Sequence, residues 1–263
     1  MEYQQIYRHL LDYKNSYAPV SCVSFFILFF LSRYISSICW SYYSRLTFYQ
    51  QVEWDTRIYS NIHAVIVIIC CGTIALGDQV PLYHPRGNPS ILEASIQISY
   101  GYFIADLAII LWYYNAFHDI GMIIHHVIGV LGCQVQLAGG IAPYISALRM
   151  LSEASTPFVN QRWFLDACKY ERGTSIYVIN GLLMTASFFL SRLCLAPIQY
   201  HVMYHYWQTG VLNAMTSLEV FALIILPAIA DVLNCYWFYK MLRGAFKIVT
   251  SLFKDNTAKK LKD

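Results

Sequence analysis

The sequence predicts an all-α polytopic membrane protein with about seven transmembrane helices, and three observations carry that expectation. Hydrophobic residues make up 57% of the 263-residue chain and charged residues only 13%, about half the charge of an ordinary soluble domain. That deficit excludes a normal water-facing surface. Aromatic residues reach 16%, with 22 tyrosines, and their apolar bodies and polar tips suit the two faces of a bilayer. The apolar residues also fall in long unbroken runs, not in the alternating segments of about ten residues that mark a β-barrel.

A helix needs about 20 mostly apolar residues to cross a bilayer. The first candidate is residues 19–40, PVSCVSFFILFFLSRYISSICW. Polar residues 1–18 precede it and no small-residue cleavage site follows, so it is expected to be a retained span and not a signal peptide. The second covers 61–76, with an extension toward Val80, followed by 98–117, 120–138, 143–163, 175–195 and 212–239. The fifth of these is the least oily. Pro19, Pro143 and Pro197 stand at span ends, where a missing N–H costs little. Pro157 and Pro227 fall inside spans, and each should kink its helix and free a carbonyl one turn earlier. For Pro157 that carbonyl belongs to Glu153.

Lys/Arg asymmetry sets the expected orientation. One side receives Arg8, Lys14 and Arg86; the other receives Arg45, Arg57, Arg162, Lys169, Arg172 and the basic run from Lys240 to Lys262. The richer side is expected to be cytosolic, with the C-terminus there and the N-terminus opposite. The net charge of +3 sits mostly in this tail, so it reports topology and gives no sign of nucleic-acid binding. The ending KKLKD is close to a dilysine retrieval signal, with its spacing off by one, and hints at the endoplasmic reticulum. The eight cysteines are scattered without a CxxC pair, so no zinc or redox motif is read, and no other metal site or cofactor is expected. Seven lie in or beside apolar runs as small hydrophobes, while Cys168 in a polar loop is a palmitoylation candidate.

Ionisable groups within spans are expensive and are functional candidates by default. They are Arg33, Asp106, His125, His126, Arg149, Glu153, Arg192, Glu219 and Asp231. Arg33 and Arg192 lie near span ends and are expected to snorkel; Glu219 and Asp231 have no assigned place. His125 and His126 are adjacent, so on a helix they point about 100° apart and cannot act as an i, i+4 metal pair. In HDIGMIIHH, Asp119 shares a face with His126 and His118 shares one with His125, which predicts two parallel polar stripes. A neutral imidazole both donates and accepts, so it can relay a proton or orient a lipid head group. In LRMLSEASTPFVNQRWF, Arg149 and Glu153 are spaced to pair on one helix face, with Thr156 and Asn160 continuing that side.

The paired histidines preceded by an acidic residue in HDIGMIIHH, together with SEASTPFVNQRWFL, resemble the TLC domain family, which includes translocation-associated membrane proteins and the Lag1 ceramide synthases. The resemblance divides the chain into an N-terminal tail and first transmembrane helix (1–47), a TLC domain (48–247) and a basic cytosolic tail (248–263). It implies a six-helix barrel around a lipid-accessible cavity, preceded by one extra helix. It also implies that His125 and His126 occupy the positions of the catalytic histidines of the synthases. Where those enzymes carry a second His–Asp pair, this chain has Ser152 and Glu153. A serine cannot replace a histidine as general base near neutral pH.

Two functional readings follow. The preferred one is a protein that binds or regulates membrane lipids or fatty acyl chains, with His125, His126 and Glu153 inside a cavity and Asp106, Asp119, Arg149, Thr156 and Asn160 forming a polar cluster for a head group. The alternative is an acyl-CoA-dependent acyltransferase of ceramide-synthase type, in which His125 or His126 is the base or acyl carrier and Glu153 orients it. A homo-oligomer is compatible with either. A seven-span receptor is disfavoured, because no DRY triplet ends the third span and no NPxxY lies in the seventh.

Overall fold

The computed structural model describes residues 17–77 and 80–260. Arg8, Lys14, the link from residue 78 to 79 and the last three residues, with Lys262, lie outside the described residues. The helices are α1 (Tyr17–Cys39), α2 (Phe48–Leu76), α3 (Ser90–Trp112), the single turn α4 (Tyr114–Phe117), α5 (Ile120–Gly139), α6 (Pro143–Met150), α7 (Thr156–Ala167), α8 (Ser175–Phe188), α9 (Ala196–Gln208) and α10 (Ser217–Lys260). No strand occurs among the described residues, only an isolated bridge between Arg86 and Ile141.

Six segments are long and apolar enough to cross a membrane: α1, α2, α3, α5, the run Ser175–Gln208, and Ser217–Phe246. The remaining expected span, residues 143–163, is divided. After α6 the chain tightens into a 3-10 turn at Leu151–Ser155, and Pro157 then sits in the first turn of α7. A proline supplies no N–H to the residue four before it, so the break falls just ahead of it. The Glu153 carbonyl is not freed, contrary to expectation: the Thr156 N–H donates to it. Pro227 behaves differently. It lies inside the uninterrupted α10, and the orphaned Leu223 carbonyl one turn earlier accepts from Gln199 Nε2 at 3.0 Å.

Helix α2 begins thirteen residues before the apolar run read from the sequence, because Thr47 and Gln50 close a capping box there. Its early charges are absorbed inside the protein. Asp55 is fully buried and accepts from Tyr43 Oη (2.8 Å), Arg33 Nε (3.1 Å) and Ser32 Oγ (3.2 Å). Arg33 therefore turns inward to a partner and does not snorkel. Burial, reinforced by the Asp55 carboxylate, pushes the Tyr43 phenol above its usual range. This cluster pins one end of α1 to α2. Along its length α1 lies on α3: Ser21 Oγ donates to the Ile98 carbonyl at 2.7 Å, and a Cβ on Gly101 would stand 2.5 Å from the Ala18 carbonyl oxygen. Glycine is the residue that permits so close an approach of two backbones. The outward faces of α1 and α8 carry exposed Val20, Ile27, Phe30, Ile179 and Leu183, the surface a bilayer would cover.

Candidate functional site

Helix α5 starts at Ile120, and Asp119 is its N-cap, accepting from the Met122 N–H at 3.3 Å. His118 sits outside the helix in a left-handed conformation (φ 46°). The two stripes expected from HDIGMIIHH therefore do not form, since both upstream members precede the helix. Asp119 is spent on the cap, although it also lines the cavity described below.

The two histidines turn to different partners. His126 Nδ1 lies 2.9 Å from the Met122 carbonyl, and Nε2 lies 2.5 Å from Asp106 Oδ2 on α3. The Nε2 contact is an ion-pair approach off the line of the ring N–H. Asp106 also accepts a short hydrogen bond from Tyr59 of α2, so three helices meet at this carboxylate. His125 Nε2 stands 3.7 Å from Glu153 Oε1, beyond hydrogen-bond range, with Trp237 of α10 against its ring at 5.8 Å between centroids.

Glu153 is held from the other side. Thr156 Oγ1 donates to its Oε2 at 2.7 Å, and Arg192 Nη2 lies 3.7 Å from Oε1. Arg149, the expected partner, is elsewhere. Successive residues of a 3-10 turn advance about 120°, so the tightening at Leu151–Ser155 carries Glu153 off the Arg149 face. Arg149 instead makes two contacts with Asp231, at 2.5 and 2.9 Å, and donates to Gln199. Glu219 pairs with Arg86 at 2.6 Å.

Arg192, a candidate in the sequence but expected to snorkel, is the cavity residue whose placement the sequence reading misjudged. It lies in a π-helical turn, Phe189–Leu193, and is buried rather than snorkelled, bonded to Ser155 Oγ (2.9 Å) and Asn234 Oδ1 (3.3 Å). A π turn inside a helix often marks a functional position, but nothing in FFLSRL announces one. Asn160 braces α7 to α2, donating to Asn61 Oδ1 (2.7 Å) and Ser60 Oγ (2.8 Å) and accepting from Arg57 (3.1 Å).

These groups surround a cavity of about 540 Å³. His125, His126, Asp106 and Glu153 form its polar side, while Val178, Leu182, Phe188 and Met241 give an apolar wall. Arg57, Arg162 and Lys240 also line it. A second cavity of about 170 Å³ adjoins it, and Phe103, His125, Glu153 and Arg192 line both. Thr156 and Asn160 face the larger cavity, whereas Arg149 lines only the smaller one. No group of three or more His, Cys, Asp or Glu side chains among the described residues is arranged to hold a metal ion.

Fold and site together define an all-helical, multi-pass membrane protein with a His–carboxylate cluster in an interior cavity. The chain belongs to the TLC domain family, whose profile matches residues 53–243. It is 32% identical to human TLC domain-containing protein 4 over 249 residues, covering 93% of this chain and 95% of that protein. The Xenopus laevis TLC domain-containing protein 4-B is 31% identical over 83% of this chain and 84% of its own length. A Saccharomyces cerevisiae relative, Topoisomerase I damage affected protein 4, is 31% identical over 73% of this chain and 71% of its own. No solved structure matches the chain.

Proposed function

We propose that the protein binds or regulates membrane lipids, holding a lipid's polar group against His125, Glu153 and Arg192 while its apolar part lies along the wall formed by α8 and α10. The observation that carries this reading is the composition of the larger cavity: one side is charged and hydrogen-bonding, the other apolar, within one space of about 540 Å³. Lipid-sized sites have this make-up, a mostly apolar lining with a few placed polar groups. The charged groups are paired with one another, Glu153 with Arg192 and Asp106 with His126, which suits a fixed anchor. The Lys/Arg bias supports a cytosolic side for the basic segment that follows the last span.

The test is extraction and mass-spectrometric identification of lipid that copurifies with the protein in nanodiscs. A defined lipid class should be retained by the wild type and depleted by Glu153→Gln. Retention of bulk lipid alone, unchanged by that substitution, overturns the reading.

Acyl transfer is the second reading, and the approach of His125 to Glu153 favours it, because a histidine facing a carboxylate is the arrangement of an oriented base. Here, however, Glu153 is already engaged by Thr156 and Arg192. Turnover of a labelled acyl-CoA with sphingoid-base or lysophospholipid acceptors, abolished by His125→Ala, would establish this reading in place of the first.

A further inference from the structure

One oxygen of Glu153 is left without a donor. Thr156 Oγ1 donates to Oε2 at 2.7 Å, but the nearest nitrogens to Oε1, His125 Nε2 and Arg192 Nη2, both stop at 3.7 Å, beyond hydrogen-bond range. Arg192 is held back by its other bonds: Nε donates to Ser155 Oγ (2.9 Å), Nη1 to Asn234 Oδ1 (3.3 Å) and Nη2 to Thr156 Oγ1 (3.4 Å). Neither ring nitrogen of His125 has a hydrogen-bond partner among the described residues, its closest approach being that to Glu153. Other unpaired atoms, His126 Nε2 and His63 Nδ1 among them, are sealed inside the protein. Glu153 Oε1 and the His125 nitrogens are not sealed, and both side chains line the larger and the smaller cavity where the two adjoin. An open acceptor and an open imidazole therefore face one space, 3.7 Å apart. A charged group left unpaired so far from bulk water is costly, and no side chain supplies the missing donor.

We infer that the lipid held here is a neutral one with a free hydroxyl, whose oxygen bridges Glu153 and His125. An oxygen about 2.8 Å from each fits the gap that the two cannot close directly. It donates its proton to Oε1 and accepts from the Nε2–H of His125. The ring is free to take that tautomer, because Nδ1 has no partner of its own. Other head groups fit less well. A phosphate or carboxylate would face the Glu153 carboxylate. An ammonium could donate to Oε1, but it has no lone pair for His125 and would stand beside the Arg192 guanidinium. An ether or ester oxygen only accepts, and leaves Oε1 unpaired. A hydroxyl donates and accepts without carrying charge. The inference rests on the lipid-binding reading and names the polar group which that reading leaves open.

The probes are 1-dodecanol, its methyl ether, dodecylamine and dodecanoic acid, each at the same mole fraction in nanodiscs holding the purified protein. Mass spectrometry gives the amount retained in excess over empty nanodiscs, which removes differences in partition into the bilayer. On the wild type the alcohol should exceed its ether roughly tenfold, the effect of one hydrogen bond to a charged group, and should exceed the amine and the acid as well. In Glu153→Gln the amide oxygen keeps Thr156 and an NH2 takes the place of Oε1. The acceptor becomes a donor, so the advantage of alcohol over ether should vanish. Equal retention of alcohol and ether on the wild type overturns the inference and assigns the gap to an ordered water. Preference for the amine or the acid, or an alcohol preference that survives Glu153→Gln, also overturns it while leaving lipid binding intact. So does retention of none of the probes while a native lipid still copurifies. If no lipid of any kind is retained, the lipid-binding reading fails and this one falls with it. The wild-type comparison decides the preference even if Glu153→Gln does not fold.

Discussion

His125 and His126 are neighbours in sequence and opposites in circumstance. The His126 side chain is 6% exposed and the His125 side chain 22%. One ring is fixed by a backbone carbonyl of its own helix and by a carboxylate on α3, which is itself tied to α2. The other stands in the partition between two cavities, with its carboxylate neighbour out of hydrogen-bond reach. The 100° step between adjacent helical residues is enough to tie one lining histidine into the frame and leave the other as lining alone. The double histidine is therefore two devices, and substitutions should separate them.

The sharpest separation comes from the frame. Asp106→Ala leaves the His126 Nε2 and the Tyr59 hydroxyl buried without a partner, at about 1–3 kcal/mol for each unsatisfied group. The variant should unfold in detergent at markedly lower temperature or denaturant, or fail to accumulate. Loss of less than about 1 kcal/mol would mean that His126 is no more anchored than His125. Arg192→Met is next, at about 3 kcal/mol, because Glu153 then keeps only Thr156 and a distant His125. The double change Arg192→Met with Glu153→Leu should regain part of that loss, since it removes both charges together. A double variant less stable than the single one contradicts the pairing.

The same contrast explains which parts could be read from the chain. The apolar runs exposed six membrane-length segments, because burial in lipid demands continuous hydrophobicity and leaves little room for disguise. His125, His126 and Glu153 stood out as polar groups in oil. Their partners were less legible. Asp106 was recognisable as a candidate, but nothing local assigns it to His126 across helices. Arg149 was given to Glu153 by a rule that assumes an α-helix, and a 3-10 turn breaks that rule. Arg192 looked like a snorkelling end group until a π turn aimed it inward. Periodicity reports regular helices, so most errors about the site gathered where the backbone leaves regularity, at residues 151–155, residues 189–193 and the start of α5, whereas Arg33 in the regular α1 was misread because its partner Asp55 lies on another helix.

A smaller effect tests how far the frame extends. Helix α3 carries both Asp106 and Phe103, and α1 supports it through close contact at Gly101. Gly101→Val forces α1 and α3 apart, and overpacking of this kind costs about 1–3 kcal/mol. Cysteine cross-linking between the two helices should weaken in step with stability. Unchanged cross-linking would detach α1 from the support of Asp106 and His126.

The smallest effect on stability is expected at His125, and it is the most informative about function. The ring touches Phe103, His126 and Trp237 at their edges and makes no hydrogen bond shorter than its 3.7 Å approach to Glu153. Replacing it with glutamine keeps a polar side chain of similar reach and leaves Glu153 with Arg192 and Thr156, so folding should change by less than about 1 kcal/mol. Ligand occupancy should respond differently, because His125 borders both cavities and any molecule passing between them meets it. His125→Gln should therefore lower retained lipid several-fold at near-normal stability, whereas Asp106→Ala should lower both together. Unfolding curves and lipid extraction from the same preparations give the two quantities side by side. If His125→Gln destabilises as much as Asp106→Ala, the two histidines belong to one frame after all, and the cavity partition has no separate working residue.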